Sequence, residues 1–391
     1  MSLNRNLAYF IRKHMPDISF LHRKLASKKL KDFKAQLIPS EYVERAEKDP
    51  SSITAIVAEF EKSRATQVEE LVGSFDAYLE KAGITYSSDE YQYHKTQMLF
   101  NCLAYGFAPD EYVYYKLDTR TLEEKKAYIT DLDRKMMQYI MSDFKDLQYV
   151  FDKAATYEKF GKYYKRDEVS IATSTDFDKF KEFAEKHEYL VVKEVSNSCG
   201  QGVTIEKSQR ENLKEQFDSI LARGKCSIEE RISQASIMSQ FNESSVNTLR
   251  VIMFNTKSGI KIGPCFFRTG RAGAVVDNAG AGGVFMGVDR HTGVLDTDGC
   301  DEYLNRYEYH PNSGVKYIGF QLPAWDECIS LVKEMGALVP RIGYIGWDLA
   351  YTDKGWVLVE ANGGSQFVSQ ICYGKGCKPE IEKYIADRNT Y

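Results

Sequence analysis

The chain has 391 residues and a formal net charge of −4, with 28% charged and 43% hydrophobic residues. This balance excludes the basic footprint expected of a nucleic-acid binder, and the length suggests two or three domains with real cores. No apolar run approaches the ~18 residues that span a bilayer, no apolar segment with a small-residue cleavage site opens the chain, and eight cysteines without a CxxC read as reduced thiols, so a cytoplasmic location is expected.

Residues 1 to about 150 contain little glycine and read as helices. Leu7, Phe10, Ile11 and His14 form a stripe that ends at Pro16. A second stripe runs from Ile18, Leu21 and Leu25 toward Leu37, before Pro39. Further helices are predicted over 52–63, 66–82 and 88–105, and Thr121 with Glu124 forms a capping box. Residues 1–40 hold nine Lys or Arg against Asp17 and Asp32, a local charge of +7, so the other 351 residues carry −11. Such a basic amphipathic start suits either an anionic membrane surface or an ordinary solvated face.

After residue 150 the pattern becomes α+β. Strands are predicted at 167–172, 189–195, 203–206 and 226–231, with helices at 176–187 and 208–222 between them. Longer strands follow at 246–255, 260–268, 283–288, 342–351 and 356–362, interrupted by a helix over 324–337. Tight turns at Lys257–Gly259 and Asp353–Gly355 imply antiparallel neighbours. The six histidines show no ligand spacing.

The segment from Tyr344 to Asn362 carries the clearest chemistry. A three-residue loop with a left-handed Gly355 would set Thr352 opposite Trp356, and hence Asp348 opposite Glu360. Asn362, two residues on, shares the face of Glu360. Two carboxylates and an amide oxygen are hard ligands suited to Mg²⁺ shared with substrate phosphates. The apolar neighbours Ile345, Trp347, Leu349 and Val357 imply a sheet buried on both faces, where a carboxylate needs a cation or an arginine.

Upstream, Lys193 sits within an apolar strand ahead of the loop Ser196–Gly202, whose small residues would let backbone amides approach phosphate oxygens. An ordinary hairpin with a surface lysine reads equally well. Lys153 taken singly resembles any surface lysine, and Glu229-Glu230 any solvated charge run. Arg250 and Arg268 on adjacent apolar strands suggest a buried anion. The glycine-rich Val276–Val284 could lie against a substrate or form a simple loop.

In this order the pieces resemble the ATP-grasp superfamily, and specifically its sugar-transfer-associated branch. Val246-Asn-Thr-Leu-Arg250, Asp277-Asn278 with Gly282-Gly283, Gly346-Trp-Asp348 with Val359-Glu-Ala-Asn362, and Gly106–Tyr115 carry the resemblance, over about 105–375. It implies an ATP-grasp fold, two α+β subdomains at 151–235 and 236–391 clasping ATP, the second with the metal site, behind a mostly helical region at 1–150. It implies that Lys153 and Lys193 contact ATP phosphates and that the flap from Ser198 through Gly200 to Gly202 covers them. Glu229 and Glu230 would bind the adenine-ribose side, and Asp348, Glu360 and Asn362 would hold Mg²⁺, as two ions, with Mn²⁺ as an alternative. Arg250, with Arg268 and Asn278, would steady the transferring phosphoryl group and an acyl phosphate. The implied activity is a carboxylate–amine ligase, acting on a sugar acid and an amine in surface polysaccharide assembly. A phosphotransferase and a non-catalytic nucleotide-binding scaffold are the alternatives. The family's usual N-terminal α/β substrate domain is replaced here by helices, so the acceptor site does not carry over.

Overall fold

The computed structural model describes residues 19–143, 145–194, 203–271, 273–274, 277 and 282–388. The first described helices are Ser19–Lys34, Ser40–Lys48, Ile53–Ser63, Ala65–Ala82 and Ser88–Tyr105. The last opens on a capping box, in which the Ser87 amide donates to Glu90 Oε2 at 2.9 Å, and it stops at Gly106 with φ +78°. The predicted box at Thr121 is present, with Thr121 N donating to Glu124 Oε2 at 2.8 Å. Helices at Pro109–Tyr114, Asp131–Met141 and Lys153–Tyr164 were not predicted, nor were Ser369–Tyr373 and Lys378–Ala386 at the other end. Among the described residues, no helix is long and apolar enough to cross a membrane.

Four strands, β1 (Glu168–Ile171), β2 (Tyr189–Glu194), β3 (Val203–Lys207) and β4 (Cys226–Glu230), form an antiparallel sheet in the order β1-β4-β2-β3. Alternation along them puts Ile171, Leu190, Val192 and Ile228 under the helices Phe177–Lys186 and Leu213–Leu221. Glu168, Val191, Lys193, Ser227 and Glu229 are left on the other face.

Seven strands form the larger antiparallel sheet. They are β5 (Thr248–Thr256), β6 (Gly259–Thr269), β7 (Val284–Val288), β8 (Gly299–Cys300), β9 (Arg306–Tyr307), β10 (Tyr344–Thr352) and β11 (Gly355–Asn362), in the order β11-β10-β5-β6-β7-β8-β9. Leu249, Val251, Ile345, Trp347 and Leu349 point into a core closed by the helix Trp325–Ala337 and by Phe160, whose ring stands edge-on to Trp347 at 5.1 Å. On the opposite face, Ile252, Phe254 and Tyr344 pack against Met137, Met141 and Ile381. Phe266 and Phe285 pack among Phe75, Leu99, Leu103 and Tyr112 of the N-terminal helices. The sheet is thus buried on both faces, as its apolar runs imply. The helices before residue 150 share their core with it.

The β10–β11 hairpin differs from expectation in its turn. Thr352 pairs with Gly355 and Tyr351 with Trp356, one residue short of the predicted register, although Gly355 does take the left-handed φ of +80°. Continued regularly, this pairing would set Val359 opposite Asp348 and turn Glu360 to the other face. A bulge absorbs Val359, so Asp348 pairs with Glu360 and Gly346 with Asn362. The expected juxtaposition is present by a different route.

Candidate functional site

On the face opposite Trp347, Asp348 is only 4% exposed. It pairs in register with Arg250 of β5, which grips it with both Nε and Nη2, the second at 2.7 Å from Oδ2. Arg268 Nη2 reaches the same Oδ2 at 3.0 Å, and Asn362 Nδ2 donates to it at 3.1 Å. Arg250 also donates from Nη1 to Ser365 Oγ at 2.8 Å. This crossing requires Gly346, since a Cβ there would lie 2.3 Å from Ser365 Oγ and 3.0 Å from Arg250 Cδ. Arg268 further donates to Thr248 Oγ1 at 2.7 Å and stands 3.7 Å from Asp277, whose carboxylate accepts from the Thr248 amide at 3.0 Å.

Burial opposes ionisation of Asp348, but the Arg250 and Arg268 guanidiniums outweigh it and hold its pKa below the ordinary value. Burial leaves that of Asp277 raised, despite Arg268. For Arg268 burial acts downward, and Asp277 and Asp348 reverse it, keeping the guanidinium charged. The buried anion inferred from two arginines on neighbouring strands is therefore Asp348 itself, with Asp277 as second counter-charge.

Glu360 is exposed, Asn362 is half-buried, and the Glu360 carboxylate makes no hydrogen bond among the described residues. Lys153, at the start of its helix, donates to the Glu194 carbonyl at 3.2 Å. Burial lowers its pKa, and the charges acting on it are Glu360, Lys193 and Glu229. Lys193 Nζ lies 2.6 Å from Glu229 Oε1. The two predicted phosphate lysines are thus both tied to the smaller sheet, and the charge of Glu360 acts on Lys153. Ser198, Gly200, Gly202 and Asn278 lie outside the described residues.

Glu229 and Glu230 do not act together, because neighbouring residues of a strand point to opposite faces. Glu229 is buried and bound by Lys193 through Oε1 and by Arg166 through Oε2. Glu230 joins Asp167 and His187 in a separate hollow of about 360 Å³. These three groups could in principle hold a metal, but Lys162, Lys165, Lys186 and Lys354 line the same hollow and oppose a cation.

Arg166 went unnoticed in the sequence, since Lys165-Arg-Asp-Glu168 reads as a solvated charge run. It is 8% exposed. It donates from Nε at 2.9 Å to Glu229 Oε2, and from Nη1 and Nη2 to the carbonyls of Leu358 and Val359. One guanidinium therefore ties the lysine-bearing sheet to the bulge that places Glu360. Lysine cannot reproduce that fork. Arg166→Lys is expected to weaken nucleotide binding about tenfold, the scale of one charge-assisted hydrogen bond. Titration with a fluorescent ATP analogue checks it, and unchanged affinity would remove Arg166 from the site.

The same contacts predict an acid limit. Burial alone would raise the pKa of Glu229, but Arg166 and Lys193 prevail and hold it at about 2. Its folded value lies below the ordinary value of about 4.3. The stability it contributes is therefore full above that pH and lost as pH falls toward 2. Circular dichroism during denaturant titration should show a steeper stability loss between pH 5 and 3 in the native protein than in Glu229→Gln.

A search of curated proteins gives no match. Solved structures give weak likenesses. The ATP-grasp ligase PsnB complexed with precursor peptide and AMPPNP has a TM-score of 0.39 at 10% identity, covering 66% of this chain and 66% of that one. D-alanyl-alanine synthetase A from Vibrio cholerae gives 0.40 at 12%, covering 66% and 72%. N5-carboxyaminoimidazole synthetase from Staphylococcus aureus, complexed with ADP, gives 0.38 at 12%, covering 60% and 52%. The assignment rests instead on the sequence itself. The family profile described as sugar-transfer associated ATP-grasp matches residues 148–385, from just before the helix bearing Lys153 into the helix Lys378–Ala386, and the chain belongs to that family.

Proposed function

We propose that the chain is a Mg²⁺- and ATP-dependent ligase that activates a carboxylate as an acyl phosphate and passes it to an amine. The observation that carries this reading is the bridge from Lys193 through Glu229 and Arg166 to the carbonyls of Leu358 and Val359, next to Glu360, with Lys153 on the Glu194 carbonyl. Cations for phosphates and an unengaged carboxylate for a metal are thereby linked.

In this reading Lys153 and Lys193 hold the ATP phosphates, with Glu229 aiming Lys193 and the segment Ser198–Gly202 covering them. Glu360 and Asn362 fit a divalent cation, two residues apart on one face, and Asp348, whose oxygens accept from Arg250, Arg268 and Asn362, would join them as a third oxygen donor by exchanging one of those bonds. The cation, as two Mg²⁺ or Mn²⁺, would supply charge neutralisation at the phosphates. Arg250 and Arg268, with Asn278, steady the phosphoryl group in transfer. Arg268 is the more accessible of the two arginines, at 15% against 9% side-chain exposure, and its bond to Asp348 is the single one to exchange. The family's sugar-transfer association favours a sugar acid as the carboxylate substrate. The local charge of +7 in residues 1–40 favours peripheral contact with an anionic membrane, and failure to pellet with anionic liposomes would remove that part.

An ADP-release screen pairing uronic acids and amino acids with Mg²⁺-ATP, read by mass, tests the proposal. Amine-dependent release of ADP with an amide product supports it. A stable phosphorylated product would make the protein a phosphotransferase, and nucleotide binding without turnover a scaffold.

A further inference from the structure

A second cavity, of about 530 Å³, lies away from the facing sheets. Its walls are one side of the helix Ala65–Ala82, the first turns of the helices Pro109–Tyr114 and Asp131–Met141, and the loop carrying Glu302 and Tyr303. Ligand pockets favour such junctions between structural units, and this volume suits a ligand of sugar size.

Three rings form one wall. Tyr78 and Tyr114 meet edge to face at 5.3 Å, and Tyr303 lies 6.4 Å from Tyr78. Tyr78 donates its hydroxyl to the Glu302 carbonyl at 2.9 Å, whereas the Tyr114 hydroxyl has no hydrogen-bond partner among the described residues. Asp110 stands opposite in charge terms. Its Oδ1 accepts from the adjacent Glu111 amide at 3.0 Å, and it forms no ion pair among the described residues. Burial raises its pKa, with Asp131 adding to the effect. Asp131 is already neutralised by Arg134 and Lys135. The cations that line the cavity, Lys81 and Lys135, are exposed at its rim. The interior is thus acidic and aromatic, with a half-buried Asp110 carboxylate in no ion pair among the described residues, and Arg134, the cation that acts on it, is already paired with Asp131. Such a carboxylate is stabilised by a ligand that brings the cation with it, and aromatic faces add to the attraction.

We infer that this cavity binds a primary ammonium ligand of about hexosamine size, its charged nitrogen on Asp110 and its apolar face on Tyr78, Tyr114 and Tyr303. The site is joined to the nucleotide region, since Arg134, which holds Asp131, donates to the Gly364 carbonyl at 2.7 Å, two residues beyond Asn362. The inference does not depend on ligase chemistry.

Saturation-transfer NMR on the full chain, with glucosamine, galactosamine and ethanolamine as probes, tests it. Glucosamine or galactosamine should bind the native protein and Glu360→Gln alike. Asp110→Asn should weaken binding about tenfold or more, the scale of a lost charged hydrogen bond. Tyr303→Ala, which alters only the loop wall, should also weaken it. N-acetylglucosamine, with the same ring and no charge, should bind poorly. The inference is overturned if no amine binds, if Asp110→Asn and Tyr303→Ala bind as the native protein does, or if N-acetylglucosamine binds equally well. Loss of amine binding in Glu360→Gln would place the amine in the nucleotide cleft and overturn it too.

Discussion

Glu360→Gln is expected to slow ATP turnover at least about a hundredfold, the effect of removing one preorganised electrostatic group from an active site, while leaving thermal stability unchanged. The reason lies in its surroundings. Glu360 is exposed and makes no hydrogen bond among the described residues, so the amide replaces nothing the fold relies on. It removes the charge that faces Lys153 and the oxygen best placed for a cation. ADP release and a melting curve on the same sample check both halves. Full activity would sink the metal assignment at β11. Asp348→Asn is the less informative variant, because it also strips two arginines of their counter-charge.

Arg250→Ala carries the largest expected cost in stability. Asp348 is 4% exposed and accepts from both ends of the Arg250 fork. Removing one partner of a buried pair leaves the other charge uncompensated and costs about 3–5 kcal/mol. Arg268 keeps one contact to Asp348, which places the effect at the lower end of that range. Chemical denaturation of both single variants and the double variant Arg250→Ala/Asp348→Asn gives the coupling directly. The double variant should be less destabilised than the sum of the singles. Strict additivity would show that the two side chains do not act as a pair.

Much of this centre is legible in the sequence because strands repeat with period two. Asp348, Glu360 and Asn362 fall on one face by counting alone, and Arg250 and Arg268 by lying on strands that must be neighbours. Counting fails where geometry is irregular. The turn at Asp353-Lys354 is one residue tighter than expected, and the bulge at Val359 compensates, so two departures cancel at the site. Nor does counting reveal which charge meets which. Arg166 and Asp277 look like surface residues in the sequence, and only the tertiary contacts show them buried against Glu229 and Arg268. The helix at 153–164 was missed because its apolar residues do not gather into one stripe. The helix at 131–141 does carry an apolar side, with Leu132, Met137 and Met141 buried, and is legible in the sequence.

The bulge at Val359 makes the spacing between Asp348 and Glu360 elastic. Deleting Val359 would shorten that interval by one and let the regular register continue from Leu349 and Leu358, which again sets Asp348 opposite Glu360. A relative with the shorter interval would keep the oxygen pair and lose only the Val359 carbonyl on which Arg166 closes. Across a family, then, the length of this interval would report how the two sheets are tethered rather than whether a cation can be held.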